Sequence, residues 1–154
     1  MTATEYATRI EPLQGRLYRM AYLYLHNEHG ALEAVDEAVY QGLRSAKKLR
    51  QPEFFDTWLT RIVINTCKKE LRRSKRVQPM DILPEEAIEA YDALPLKEAI
   101  RCLPPELKDI IILRYYADFT LVQTAEMLAI PQGTAATRQR RALALLKLEL
   151  TEEV

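Results

Sequence analysis

TLVQTAEMLAIPQGTAATRQRRALALL, Thr120 to Leu146, reads as a short helix, a tight turn and a second helix whose first turns carry an arginine cluster. Thr120 suits the cap position, because its hydroxyl can accept from a backbone N–H that has no partner inside the helix. Leu121, Ala125 and Leu128 then fall at i, i+4 and i+7, which gives the first helix one apolar face. Pro131 opens the second helix at a place where its missing N–H costs nothing, and Thr134, Thr137, Arg138, Arg140 and Arg141 follow it. Two helices joined this closely, the second one basic, match the helix-turn-helix arrangement in which the second helix enters the DNA major groove. A helical hairpin with a merely solvated basic face would share part of this pattern.

Composition bounds the rest. With 154 residues, 48% of them hydrophobic, the chain can hold one ordinary domain or two small helical ones. No apolar run is long enough to cross a bilayer, and MTATEYATRIEP at the N-terminus lacks a basic start followed by an apolar core. A cytosolic protein without a membrane segment is therefore expected. Cys67 and Cys102 lie far apart and outside any CxxC pair, which argues against a disulfide framework or a zinc site. HNEH at 26 to 29 offers two histidines and a glutamate at a helix end, with no third metal ligand in view. There is no glycine-rich phosphate loop and no nucleophile arrangement, so neither a cofactor nor an enzymatic activity is expected.

The formal net charge is zero, which at first speaks against a nucleic-acid partner. Its distribution speaks for one. KKELRRSKR, Lys68 to Arg76, holds six basic residues against one acid, and Arg138 to Arg141 holds three basic residues and no acid. Between them Asp81, Glu85, Glu86, Glu89 and Asp92 stand without a lysine or arginine. Two basic patches are thus separated by an acidic connector. VQPMDILPEEAIEAYDALP has prolines at 79, 84 and 95 and no long apolar stripe, so 77–93 reads as a linker, with room for a short helical turn around Glu85 to Tyr91.

Helical periodicity fills both sides of that linker. Upstream, one helix is expected from Tyr6 to Leu25 on Ile10, Leu13, Leu17, Met20 and Tyr24, and a second from Ala31 to Lys48 on Val35, Val39, Gly42 and Ala46. A third runs from Glu53 to Arg73 with Phe55, Trp58, Leu59, Ile62 and Val63 inward and a basic C-terminal half. The helix dipole favours one or two cations at such an end, not six. Downstream, helices are expected from Leu94 to Leu103 and from PPE at 104 to 106 onward, ahead of the helix-turn-helix. No strand pattern competes, so the fold class is all-α: two small helical domains, 1–76 and 94–154, joined by an acidic linker.

RLYRMAYLYL, EAVDEAVYQGL and FFDTWLTRIVINTCKKELRRSKR together resemble the core-binding and minus-ten-reading domain of extracytoplasmic-function (ECF) sigma factors of bacterial RNA polymerase. LPPELKDIIILRYYADFTLVQTAEMLAIPQGTAATRQRRALALLKLEL is similar to the minus-thirty-five-reading domain of the same family. Both blocks stand in the family's order, and together they span about Arg16 to Leu150.

This resemblance implies a function and a set of surfaces. Core RNA polymerase would be met by the second helix, through Glu33, Asp36, Glu37, Tyr40 and Gln41. The opened minus-ten strand of promoter DNA would be held by the loop Lys47 to Asp56 and by Asn65, Lys68, Lys69, Arg72 and Arg73. Phe55 and Trp58 are assigned to the core, and Phe54 is left unassigned. Thr134, Ala136, Thr137, Arg138, Arg140 and Arg141 match the family's positions at the minus-thirty-five duplex. An anti-sigma factor is an expected further partner.

The chain departs from the family's GTVKSRL in its own GTAATRQ, 133 to 139, where Ala135, Ala136 and Gln139 replace valine, lysine and leucine. Lost buried methyl groups imply a less stable C-terminal domain, and the lost lysine one phosphate contact fewer. Ala129 stands in the turn where glycine or another residue tolerant of positive φ is usual. A helix-turn-helix regulator with a helical sensor or dimerisation domain would explain Thr120 to Arg141 equally well, but not the basic third helix.

Overall fold

The computed structural model describes residues 1–77 and 94–152. Apart from Val77, the expected linker and its helical turn lie outside these residues. Helices and short turns make up the described chain, without a strand, and it forms two compact units, Met1–Pro79 and Met80–Val154.

The first unit begins with α1 (Ala3–Ile10), capped by the Thr2 hydroxyl, which accepts from the Glu5 N–H at 3.1 Å. Here the expected single helix from Tyr6 to Leu25 is corrected. Glu11–Leu13 tightens into a 3-10 turn before α2 (Gln14–Leu25), because Pro12 has no N–H for the α-helical ladder and crowds the turn before it. His26 ends α2 in the left-handed region at φ 54°, and Asn27 caps α3 (Glu28–Ser45) by accepting from the Gly30 N–H at 2.7 Å. The HNEH segment is thus a helix stop followed by a helix start. Ala46–Lys48 and Pro52–Phe54 are 3-10 turns on the way to α4 (Phe55–Val77).

Helices α2, α3 and α4 pack against one another around Leu17, Met20, Leu23, Ala31, Ala38, Phe55, Leu59, Val63 and Cys67, all fully buried or nearly so. Removal from water is worth about 1.5–3 kcal/mol for each large side chain in this set. Of the residues expected to face inward on α4, Phe55, Leu59 and Val63 are buried, while Trp58 and Ile62 are half-buried. Burial pushes the Cys67 thiol up to about 12, with the Glu70 charge adding to it, so this cysteine stays protonated and unreactive.

The first helix is anchored to the bundle by Tyr6, with Arg9 and buried Ile10 beside it. Tyr6 meets Phe55 edge to face at 5.8 Å, and its hydroxyl donates to the Val39 carbonyl at 2.6 Å. Burial pushes this phenol up to about 12 and so keeps its proton in place for that bond. Arg9 covers the same ring, with its guanidinium 5.5 Å from the Phe55 centroid and donating to the Pro52 carbonyl at 2.7 Å. Gly42 makes the approach possible, since a Cβ there would overlap the Tyr6 hydroxyl and press on Leu59.

The second unit holds α5 (Leu94–Arg101), α6 (Pro105–Ile111), a π-helical turn at Ile112–Tyr116, α7 (Leu121–Leu128) and α8 (Gln132–Glu152). Its core is built from Ile100, Leu107, Ile110, Ile112, Leu113, Ala135 and Ala142.

Gly42→Ala should lower the stability of the first unit by about 1–3 kcal/mol, since the bundle must either expel Tyr6 or strain around the new methyl group. Gly133→Ala, in open space on α8, should be neutral or stabilising by up to about 1 kcal/mol. Urea unfolding of both variants checks the pair.

Candidate nucleic-acid interface

In the second unit α7 and α8 form the helix-turn-helix, and their geometry starts at Thr120. The Thr120 hydroxyl accepts from the Gln123 N–H at 3.1 Å, and the Gln123 side chain accepts from the Thr120 N–H at 2.9 Å. This reciprocal capping box satisfies two backbone donors at the start of α7. Thr124 is fully buried, and its hydroxyl donates to the Thr120 carbonyl at 2.9 Å.

The turn between the helices is a Schellman motif. Ala129 lies in the left-handed region at φ 57° and ψ 46°, and the Ile130 N–H reaches back to the Ala125 carbonyl at 3.0 Å. A Cβ in that region costs roughly 1–2 kcal/mol. The motif folds Ile130 onto a cluster of Ile110, Ala125 and Ala135 flanked by Leu121 and Leu128. Ala135 is thus an inward residue, as expected, and its small side chain lets α8 lie close over α6 and α7.

Ala135, Gln139, Ala142 and Leu146 lie on the inward stripe of α8, and the opposite side follows from helical spacing. Thr137, Arg140 and Arg141 are exposed, and Thr134, Ala136 and Arg138 are half-buried on the flanks. Arg140 donates to the Thr137 hydroxyl at 3.3 Å. No acidic residue stands between Gln132 and Lys147, so every charge on this stretch of α8 is positive. Gln139 is not a gap in the core: its side-chain oxygen accepts from Arg114 Nε at 2.7 Å.

In the first unit, the residues expected at the minus-ten strand separate into two groups. Asn65, Lys68, Lys69 and Arg72 follow i, i+3, i+4 and i+7 along the side of α4 that faces away from its buried stripe. Arg61 lies on the same stripe one turn earlier and is exposed. Its spacing of four from Asn65 was available in the sequence, but it sits outside the dense run of charge at 68 to 76. Arg73 is turned aside, its Nη2 and Nε donating to the Glu70 carboxylate at 2.7 and 3.2 Å. That hydrogen-bonded carboxylate, aided by Glu33, holds the Arg73 guanidinium still more firmly protonated. Of the loop residues, Lys47, Lys48, Arg50 and Phe54 are exposed, with Phe54 51% accessible, whereas Phe55 is sealed in the core.

Arg73 borders a groove of about 530 Å³ lined by Gly30, Glu33, Ala34, Asp36, Glu37, Thr66 and Glu70. Three of the five residues expected to meet polymerase therefore line one concavity. Tyr40 is exposed beside it under the Arg44 guanidinium, and Gln41 donates to Glu37 at 2.9 Å. Leu32 and Leu43, 52% and 42% accessible, give α3 an exposed apolar edge that the acidic pattern had hidden. Their signal is two leucines off the helix's core stripe.

Two family models match the chain: sigma-70 region 2 at residues 9–77 and sigma-70 region 4 at residues 99–148. RNA polymerase sigma factor SigV of Bacillus subtilis is 35% identical over 141 residues, covering 88% of this chain and 85% of that one. ECF RNA polymerase sigma factor SigW of the same organism is 25% identical, covering 96% and 89%. Among solved structures, the sigma factor RpoE of Bartonella quintana, crystallised with the anti-sigma factor NepR, shares the fold with a TM-score of 0.80 at 17% identity, covering 97% of this chain and 98% of that one. The chain belongs to the ECF sigma factors, and its function is that of an RNA polymerase sigma factor. A helix-turn-helix regulator with an unrelated sensor domain leaves the region 2 match unexplained. No helix of the described residues is long and apolar enough to cross a membrane.

Ala129→Gly should stabilise the second unit by about 1 kcal/mol, because glycine takes the left-handed conformation without a Cβ penalty. An unchanged thermal midpoint for that unit would show that the turn relaxes around alanine at no cost.

Proposed function

We propose that α4 holds the opened minus-ten strand on its outward stripe while α8 reads the minus-thirty-five duplex, so that one chain grips the promoter at two elements. The observation that carries this reading is the stripe Arg61, Asn65, Lys68, Lys69 and Arg72, which runs opposite the buried face of α4. Its cations suit phosphates, and Asn65 can make a polar base or backbone contact. Exposed Phe54 beside Lys47, Lys48 and Arg50 suits an unpaired base stacked in a basic setting. Arg73, engaged by Glu70, is left out of this stripe.

On α8, Arg138 and Arg141 can read guanine edges or phosphates. Thr134, Thr137 and Arg140 supply further phosphate contacts, and Ala136 leaves room for close approach. The α3 surface of Glu33, Asp36, Glu37, Tyr40 and Gln41, edged by Leu32 and Leu43, docks on core RNA polymerase. Its charge speeds encounter and its apolar edge supplies affinity. The linker 77–93 spans the two promoter elements, and its acids keep it off nucleic acid. The complex of RpoE with NepR makes an anti-sigma protein the expected regulator, and the cytoplasm is the expected site of action.

Two experiments test these assignments on holoenzyme assembled from core polymerase and the full chain. Lys68→Ala with Lys69→Ala should reduce promoter opening by about tenfold or more and flatten its salt dependence by one to two units, with core affinity nearly unchanged. An equal loss of core binding would remove the assigned role. Arg138→Ala should cost about 1–3 kcal/mol of discrimination at the upstream element in run-off transcription, and unchanged promoter preference would move that contact elsewhere.

A further inference from the structure

Gln139 occupies a place on the inward stripe of α8 where helical periodicity asks for an apolar side chain. A half-buried amide there loses stability unless it is hydrogen-bonded. Arg114 meets that need and does more. Its Nε donates to Gln139 Oε1 at 2.7 Å, its Nη1 donates to the Phe119 carbonyl at 2.7 Å, and its guanidinium lies 5.7 Å from the Tyr115 ring centroid. Phe119 is buried and immediately precedes the Thr120 cap, and its own N–H donates to the Leu113 carbonyl at 2.9 Å. One planar group thus joins the π-helical turn, the entry to α7 and the middle of the recognition helix.

Around Gln139, small side chains weaken the hold that packing has on the rotation of α8, although Leu146 is buried further along. Its buried positions next to Gln139 are Ala135 and Ala142, whose single methyl groups give neighbouring helices little to interlock with. A guanidinium fork, by contrast, is rigid and directional, and its bond to an acceptor is charge-assisted. Gln139 lies between Arg138 and Arg140, so any rotation that broke this bond would carry Thr134, Thr137, Arg138 and Arg141 with it.

We propose that Arg114 and Gln139 form a positioning clamp that sets the rotation of the recognition helix, and through it the discrimination among base pairs of the upstream element, without either residue touching a base. This rests on the reading of α8 as the duplex-reading helix. Base readout is sensitive to such control, because a contact must be held to within about 0.5 Å and 10–20° of its productive geometry. The glutamine that replaces the family's leucine would then compensate for the alanine that replaces its valine.

The test uses holoenzyme and a promoter library randomised at the upstream element, from which the wild type selects its preferred duplex. Preference is then read as the ratio of transcription from that duplex to transcription from single base-pair variants. Gln139→Leu should leave the thermal midpoint near its wild-type value, the apolar side chain offsetting the acceptor lost to Arg114, yet lower the ratio by about fivefold or more, since the arginine contacts that Gln139 aligns carry most of the discrimination. Gln139→Glu retains an acceptor for Arg114; it should weaken binding to every duplex alike through its added charge and leave the ratio within about twofold. A Gln139→Leu protein with the wild-type ratio overturns the clamp. An equal fall in both variants overturns it too, since the amide would then be acting on DNA itself. If the wild type selects no sequence, the reading of α8 fails and the clamp with it.

Discussion

The rotation of a helix about its own axis is set first by what it buries, and in the first unit that constraint decides which face of α4 meets solvent. Phe55, Leu59, Val63 and Cys67 are each fully buried against α2 and α3, so α4 has one permitted orientation. Turning it by a third of a revolution would expose several large side chains at about 1.5–3 kcal/mol apiece, out of a total stability that is seldom more than about 15 kcal/mol. The stripe from Arg61 to Arg72 is therefore presented to solvent by the core rather than by its own charge. Basic side chains close together repel one another, and the bundle supplies the free energy that holds them in a row.

The second unit meets the same requirement with less material. Its recognition helix is seated by alanines over Ile110, by a left-handed alanine in the turn, and by the hydrogen bonds of Thr120 and Arg114. Small side chains bring the helices close but interlock weakly, so polar contacts take on part of the positioning. Such bonds are directional where methyl packing is not, which suits a helix proposed to align side chains with base edges.

Much of this was legible in the chain. The capping threonine and the two basic runs were apparent from spacing and charge, because a helix repeats its faces every 3.6 residues and carries that period in its sequence, whereas the residue in the tight turn and the inward alanine at 135 came from the resemblance to the family. The break at Pro12 was missed because the apolar stripe continues across it: Ile10, Leu13 and Leu17 keep helical spacing although the backbone between them tightens. Arg61 was missed because it lies apart from the charge run whose stripe it joins. The division between Arg72 and Arg73 could not be read at all. Adjacent residues on a helix point 100° apart, and only the position of Glu70 and the α3 groove shows which of the two is engaged.

Local information was enough to determine the all-α class, the helix-turn-helix and the two basic patches, since each depends on residues within a few turns of one another, and the order of two such local blocks was enough for the family. Tertiary structure alone decided what depends on distant partners. It seated Tyr6 against Gly42, paired Gln139 with Arg114 across 25 residues of chain, and turned Arg73 toward the acidic groove. The physical reason is the same each time. A side chain's spacing says which face it shares, but only the packed neighbour says whether its charge or hydrogen bond has already been taken.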